Sequence, residues 1–261
     1  MKGFILSFRS EFYKSRKTLG FWCAIILPFI ICSLVFWGSY THVKPAPPMI
    51  LWLELAGAIL NVMGILLLPM YIIFVAYSVN SIEHKADTWK TLFSLPISKW
   101  SVYAAKYFYS LFLVFLCLLL FAVLTLGYGY LLGALRSELK FSDYAISSLL
   151  FQVYLKLFLS SLGILSIQFL LSLLWSDFLK PMGVGFVCTI AGAIAGGSHW
   201  KYAYLFPYSH PLLAIAGISP KQGKAMQFDA NVWNKEIFVS LIIAVVVFIV
   251  GYFIVQKRSV K

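Results

Sequence analysis

Long apolar runs, each long enough to cross a hydrocarbon layer, alternate along this chain with short segments that hold most of its basic residues. A helical crossing needs about 20 predominantly apolar residues. Six runs reach that length: 21–40, 50–79, 102–134, 144–175, 179–198 and 236–256. Charged residues make up 11% of the chain, against about 25% in water-soluble domains. The pattern therefore predicts an all-α membrane protein, one transmembrane domain over 1–261, with no loop large enough for a separate soluble domain. No small-residue cleavage site follows the first run, which reads as an anchor rather than a removed signal peptide.

Lys and Arg are retained on the cytoplasmic side of a membrane. With the N-terminus inside, thirteen basic residues lie in inner segments and seven in outer ones, with Lys156 inside a span. Both termini are thus expected to be cytoplasmic. The net charge of +12 sits at span ends, where anionic headgroups account for it. It forms no compact basic face of the kind nucleic acid requires.

Residues 1–18 read as a separate device. At 100° per residue, Phe4, Ile5, Phe8, Phe12 and Leu19 share an arc of about 100°, while Lys2, Arg9, Lys14, Arg16 and Lys17 spread over the rest. That is the pattern of an amphipathic helix lying in the headgroup plane. The inner segment 80–100 is predicted to contain a short helix with one apolar stripe, Ala86, Trp89, Leu92 and Phe93, and with Glu83, Lys85, Asp87 and Lys90 on its other faces. Pro96 ends it, and Ser98 is placed to cap the next span.

Several features interrupt the spans. Asn61 and Pro69 break the second, and Pro28 lies inside the first. Gly129-x-x-x-Gly133 and Gly192-x-x-x-Gly196 offer small-residue seams for close helix packing, within the chain or in a dimer. Lys156 falls in the outer half of the fourth span, where a long side chain can snorkel to the headgroups or line a substrate path. The segment 199–235 is outside and crowded with aromatics around Pro207 and Pro211, which suggests a re-entrant or interfacial element rather than a free loop. Cys23, Cys32, Cys117 and Cys188 lie in apolar runs without C-x-x-C spacing and read as packing residues.

No catalytic constellation is present. The four histidines are scattered, and neither H-E-x-x-H nor G-x-S-x-G occurs. Most acids stand at span ends, away from the mid-membrane positions that ion coupling uses. Gly217 to Ala225 superficially suggests a phosphate loop, but five residues separate Gly217 from Gly223, and Ala225 stands where a magnesium-binding hydroxyl is required. The chain is expected to bind no ATP of its own.

Three stretches resemble the permease subunits of ABC-2-type ABC exporters. They are Glu11-Phe-Tyr-Lys14-Ser-Arg16-Lys17 ahead of Trp22; Glu83 followed by Thr88-Trp89-Lys90-x-Leu92, Pro96-x-Ser98-Lys99, Tyr103 and Lys106; and Tyr204-Leu-Phe-Pro207-Tyr208-Ser-His-Pro211. Length and outer element look most like the lantibiotic-immunity and bacitracin-resistance group. The resemblance implies a bacterial plasma-membrane permease that works with a cytoplasmic ABC ATPase dimer, which would bind ATP and magnesium, and with a second permease, identical or related. It implies an interfacial helix (Phe4, Phe8, Glu11, Phe12, Arg16), a coupling helix that meets the ATPase (Glu83, Asp87, Trp89, Lys90, Leu92, Phe93) and a substrate path. Candidate path residues are Asn61, Lys156, Tyr208 and His210. The substrate would be an amphipathic peptide or another hydrophobic compound. Rival readings are an exporter of lipid, polysaccharide or drugs, an ion-coupled transporter using Lys156 and Asp177, a membrane-embedded enzyme, and a passive scaffold.

Overall fold

Apolar side chains and the absence of water leave a spanning segment one way to satisfy its own amides, the helix. A computed structural model describes residues 2–86, 97–198, 200–216 and 232–257, and among these every regular element is helical. The order is α1 (Lys2–Ser15), α2 (Leu19–His42), α3 (Pro48–Val62), a π-helical stretch (Met63–Leu67), α4 (Leu68–Ala86), α5 (Lys99–Leu135), α6 (Ser147–Leu174), α7 (Leu179–Gly197), α8 (His210–Ala216) and α9 (Lys235–Lys257). Six helices are long and apolar enough to cross a membrane: 19–42, 48–85, 99–135, 147–174, 179–197 and 235–257.

The second is α3 and α4 run together through the π stretch, 38 residues in all. Pro69 explains the break, because it lacks the amide that an α-helix would supply to the carbonyl four residues back. Leu68 bonds instead to Met63 across the wider turn. The fifth and the last segments, α7 and α9, are the most exposed along with α2, whereas α6 is the most buried. α6 therefore forms the axis of the bundle, with α4 and α9 along its sides, and α2 and α1 pack on α5.

Two ends follow from this order. The α1 end gathers α1, the close of α4, the start of α5, the α6–α7 turn and the close of α9. Lys99 there donates to the Gln256 carbonyl at 3.4 Å. The opposite, or far, end gathers the α2–α3 turn, the α5–α6 turn and the segment 200–216. Ser98 caps α5, its hydroxyl accepting from the Ser101 amide at 3.2 Å.

Both glycine pairs are used within the chain. A side chain at Gly129 would overlap the Trp52 ring, and one at Gly192 would fall 2.5 Å from the Tyr208 carbonyl. Gly133 and Gly196 face Phe141 and Leu212. The cysteines are free, Cys32 and Cys117 buried among apolar neighbours.

Candidate functional site

The α1 end holds a buried ion network. Lys106 lies two turns inside α5, flanked by Tyr103, Tyr107 and Tyr109, and is 1% exposed. A charge so placed is tolerable only when paired and fully hydrogen-bonded. Its ammonium meets Glu83 Oε2 at 2.5 Å, Glu11 Oε2 at 2.9 Å and the Val79 carbonyl at 3.2 Å, an acceptor for each of its three protons. Lys14 bridges the remaining oxygens, reaching Glu83 Oε1 at 3.0 Å and Glu11 Oε1 at 3.2 Å. Two carboxylates and two ammoniums thus balance. Burial disfavours the Lys14 ammonium, but Glu11 and Glu83 outweigh that and raise its pKa above the ordinary lysine value.

The network ties three elements at one point. Glu11 and Lys14 come from α1, Glu83 from the last turn of α4, and Lys106 from α5. Glu83 and Lys106 thereby close the base of the segment that joins α4 to α5. Asp87, Trp89, Lys90, Leu92 and Phe93 lie outside the described residues. Residues 80–86, read from the sequence as part of a separate inner helix, instead continue α4. Glu83, expected to face a partner, is 1% exposed and points into the chain.

α1 is amphipathic in three sectors rather than two. Phe4, Phe8 and Phe12 form a ladder that packs edge-on against Phe108, Tyr109 and Phe21. Ser7, Glu11 and Ser15 are buried against the bundle. Arg9 and Arg16 are exposed, with Arg16 stacked over Phe12 at 5.1 Å and Arg9 over Tyr13 at 5.7 Å. The sequence pattern separates apolar from polar here but does not reveal that Glu11 and Lys14 turn inward. A cleft of about 520 Å³ runs between α1 and the start of α5, lined by Ser7, Arg9, Glu11, Tyr13, Lys14 and Val102 among others.

At the far end, residues 200–216 fold back as two short 3₁₀ turns and α8, wedged between α6, α7 and α9 and touching the π stretch. The Gln168 amide donates to the Tyr208 hydroxyl at 2.5 Å. The Ser209 hydroxyl donates to the Ala203 and Phe206 carbonyls. His210 Nε2 is 2.8 Å from the Tyr204 carbonyl, so the proton sits on that nitrogen. Nδ1 is buried without a hydrogen bond. Burial pushes the His210 pKa down, against the opposing pull of Tyr204 and Glu236.

Lys156 does not snorkel. It is 5% exposed, and its ammonium lies 3.9 Å from Glu236 Oε1 at the start of α9. The reason is the turn of α6: Lys156 shares the buried face with Ser160 and Gly163, against which Ser240 of α9 is bonded. Glu236 is thus a partner that sequence reading placed merely at a span end. Tyr208, His210 and Lys156 gather around one region, whereas Asn61 is exposed on the outer face of α3 beside Val62. The signal for Lys106 was available: a cation four residues into the apolar run 102–134 needs a buried acid.

Residues 7–192 match the family described as ABC-2 family transporter protein, and the chain belongs to that family. It is a multi-pass membrane permease subunit of an ABC transporter, a transport subunit that associates with an ABC ATPase. Neither a curated protein nor a solved structure matches it.

Proposed function

We propose that this permease belongs to an ATP-driven exporter in a bacterial plasma membrane, with the α1 end cytoplasmic, and that the Glu11–Lys14–Glu83–Lys106 network carries the partner's motion into the spans. The supporting observation is that one buried cluster joins α1, α4 and α5 at the base of the segment 87–96. A push on that segment or on the cleft beside α1 cannot move one of the three helices without breaking charged hydrogen bonds or moving the others. The excess of Lys and Arg at this end supports the orientation. Two ATPase subunits binding ATP and magnesium, and a second permease, complete the transporter. The substrate is an amphipathic, lantibiotic-like peptide or another hydrophobic compound, expelled from the membrane. Residues 200–216 stand at its exit, where Tyr208 and His210 position the wedge and Lys156 with Glu236 fixes α9 beside it.

The test is substrate-stimulated ATP hydrolysis by the full chain purified with its ATPase. Glu83→Gln and Trp89→Ala should each lower stimulation, Trp89→Ala more strongly, while basal hydrolysis and membrane insertion persist. Stimulation unchanged in both would overturn the coupling role, and failure of any ATPase to copurify would overturn the proposed assembly.

A further inference from the structure

We infer that Arg9 and Arg16 form a seat for the phosphate groups of anionic phospholipids in the leaflet at the α1 end. The inference depends on α1 lying at the bilayer surface and not on coupling to an ATPase.

Charges on α1 and in the turn that follows it are sorted by face. Lys14 and Glu11 turn inward and are consumed by the buried network. Arg9 and Arg16 turn outward, and among the described residues neither makes an ion pair with a carboxylate. Both lie against rings of α1: Arg9 over Tyr13, and Arg16, in the turn that directly follows α1, over Phe12 and Tyr13. Ring contacts hold each guanidinium in place without using the charge that a carboxylate would neutralise. Reading around the helix at 100° per residue, the Phe4–Phe8–Phe12 ladder is followed by Ile5, then Arg9, then Tyr13, and the Arg16 guanidinium, just past the end of α1, lies over the Phe12 and Tyr13 rings. Ile5 is 62% exposed and Tyr13 55%. The arginines therefore stand at the boundary between an apolar face and the open cleft side.

The height of that boundary is set by the bundle. Gly3 packs on Ile97 and Ser101, and Phe4 on Phe108, so α1 lies beside the first three turns of α5. Lys99 and Trp100 mark the end of that span. This is headgroup level. Arg9 stands about two turns before the end of α1 and Arg16 just past it, which lets each meet the phosphate of a separate lipid. A guanidinium suits that role because its parallel N–H groups match two phosphate oxygens. An acidic protein surface would also meet the charge, but it would leave Ile5 and the exposed edge of the phenylalanine ladder uncovered, whereas lipid chains cover them.

The test uses the full chain in detergent, offered phosphatidylglycerol and phosphatidylcholine in equal amounts, with retained lipids counted by native mass spectrometry. Phosphatidylglycerol should be enriched on the wild-type chain. Its enrichment should fall roughly fivefold per arginine in Arg9→Gln/Arg16→Gln, following the energy of a basic residue at an anionic surface. Arg9→Lys/Arg16→Lys, which keeps the charge but loses the paired N–H groups, should fall between the wild type and the glutamine pair, and Lys44→Gln/Lys201→Gln at the far end should leave the enrichment unchanged. Equal thermal unfolding of the variants shows that the fold is kept. Unchanged enrichment in the glutamine pair would overturn the seat. So would unchanged enrichment with loss of the copurifying ATPase, since that assigns the face to a protein surface.

Discussion

The two ends of the bundle are fastened by different chemistry. At the α1 end, three helices meet through four charged side chains whose geometry is fixed by directed bonds: Glu11, Lys14, Glu83 and Lys106. At the far end, one longer ion pair, Lys156 to Glu236, joins α6 to α9, and the other helices meet by shape. Trp52 lies in the notch at Gly129 and donates its indole N–H to the Phe141 carbonyl at 2.9 Å. Tyr208 lies against Gly192, and Ile215 against Gly64. Charged contacts keep direction while allowing a small joint rotation. Close packing resists change in volume and is bistable rather than elastic. A bundle so divided has a joint at one end and a latch at the other.

The sharpest way to break this contrast is to remove the charge at the joint. Lys106→Met should strand two carboxylates with Lys14 alone, costing about 3–5 kcal/mol, read as a lower unfolding midpoint of the purified chain. Adding Glu11→Gln to that change should recover part of the loss, and a double-mutant cycle measures the coupling. Simple additivity would show that the two groups do not interact and that the joint is only packing. Next in size is the latch. Gly129→Ala should drive Trp52 from its notch at about 1–3 kcal/mol, recovered in part by Trp52→Phe, which is smaller. An unshifted midpoint for Gly129→Ala would mean that shape does not hold that end.

The smallest effect distinguishes the ends by pH. His210 has its pKa lowered from 6.5, so the unfolded chain takes up the proton first. Its contribution is complete above that value and declines as pH falls below it. The unfolding midpoint should therefore fall on acidification below about pH 6.5, and His210→Asn should flatten that part of the profile. A wild-type profile that does not bend there would remove His210 from the latch.

What the sequence discloses about these ends is unequal. Span positions are legible because apolar length is a one-dimensional property, and the described helices agree with the six runs to within a few residues except where α4 runs on into the polar flank as far as Lys85. The Ser98 cap is local chemistry and is equally legible. Direction is not. Whether Lys156 reaches headgroups or Glu236, and whether Glu11 faces lipid or Lys106, depends on which side of a helix its neighbours occupy. That information is held by residues 80 or more positions away. The aromatic segment 200–216 falls between these cases: its reluctance to face water is readable, but its wedge against Gly192 and Gly64 is a fact of three dimensions.

The π stretch at Met63–Leu67 has a consequence for how this protein tolerates insertion and deletion. An i→i+5 turn contains one residue more than the i→i+4 turn around it. That residue sets the phase of α3 relative to α4. Loss of a single residue there would restore ordinary helical winding and turn everything before it through about 100°. Trp52 would then leave the Gly129 notch, and the face that carries Glu54 and Asn61 would swing toward the interior. Lineages of this transporter should therefore vary in length at the turns between helices and keep count within this stretch, as though the five residues were an indexing tooth between two gears.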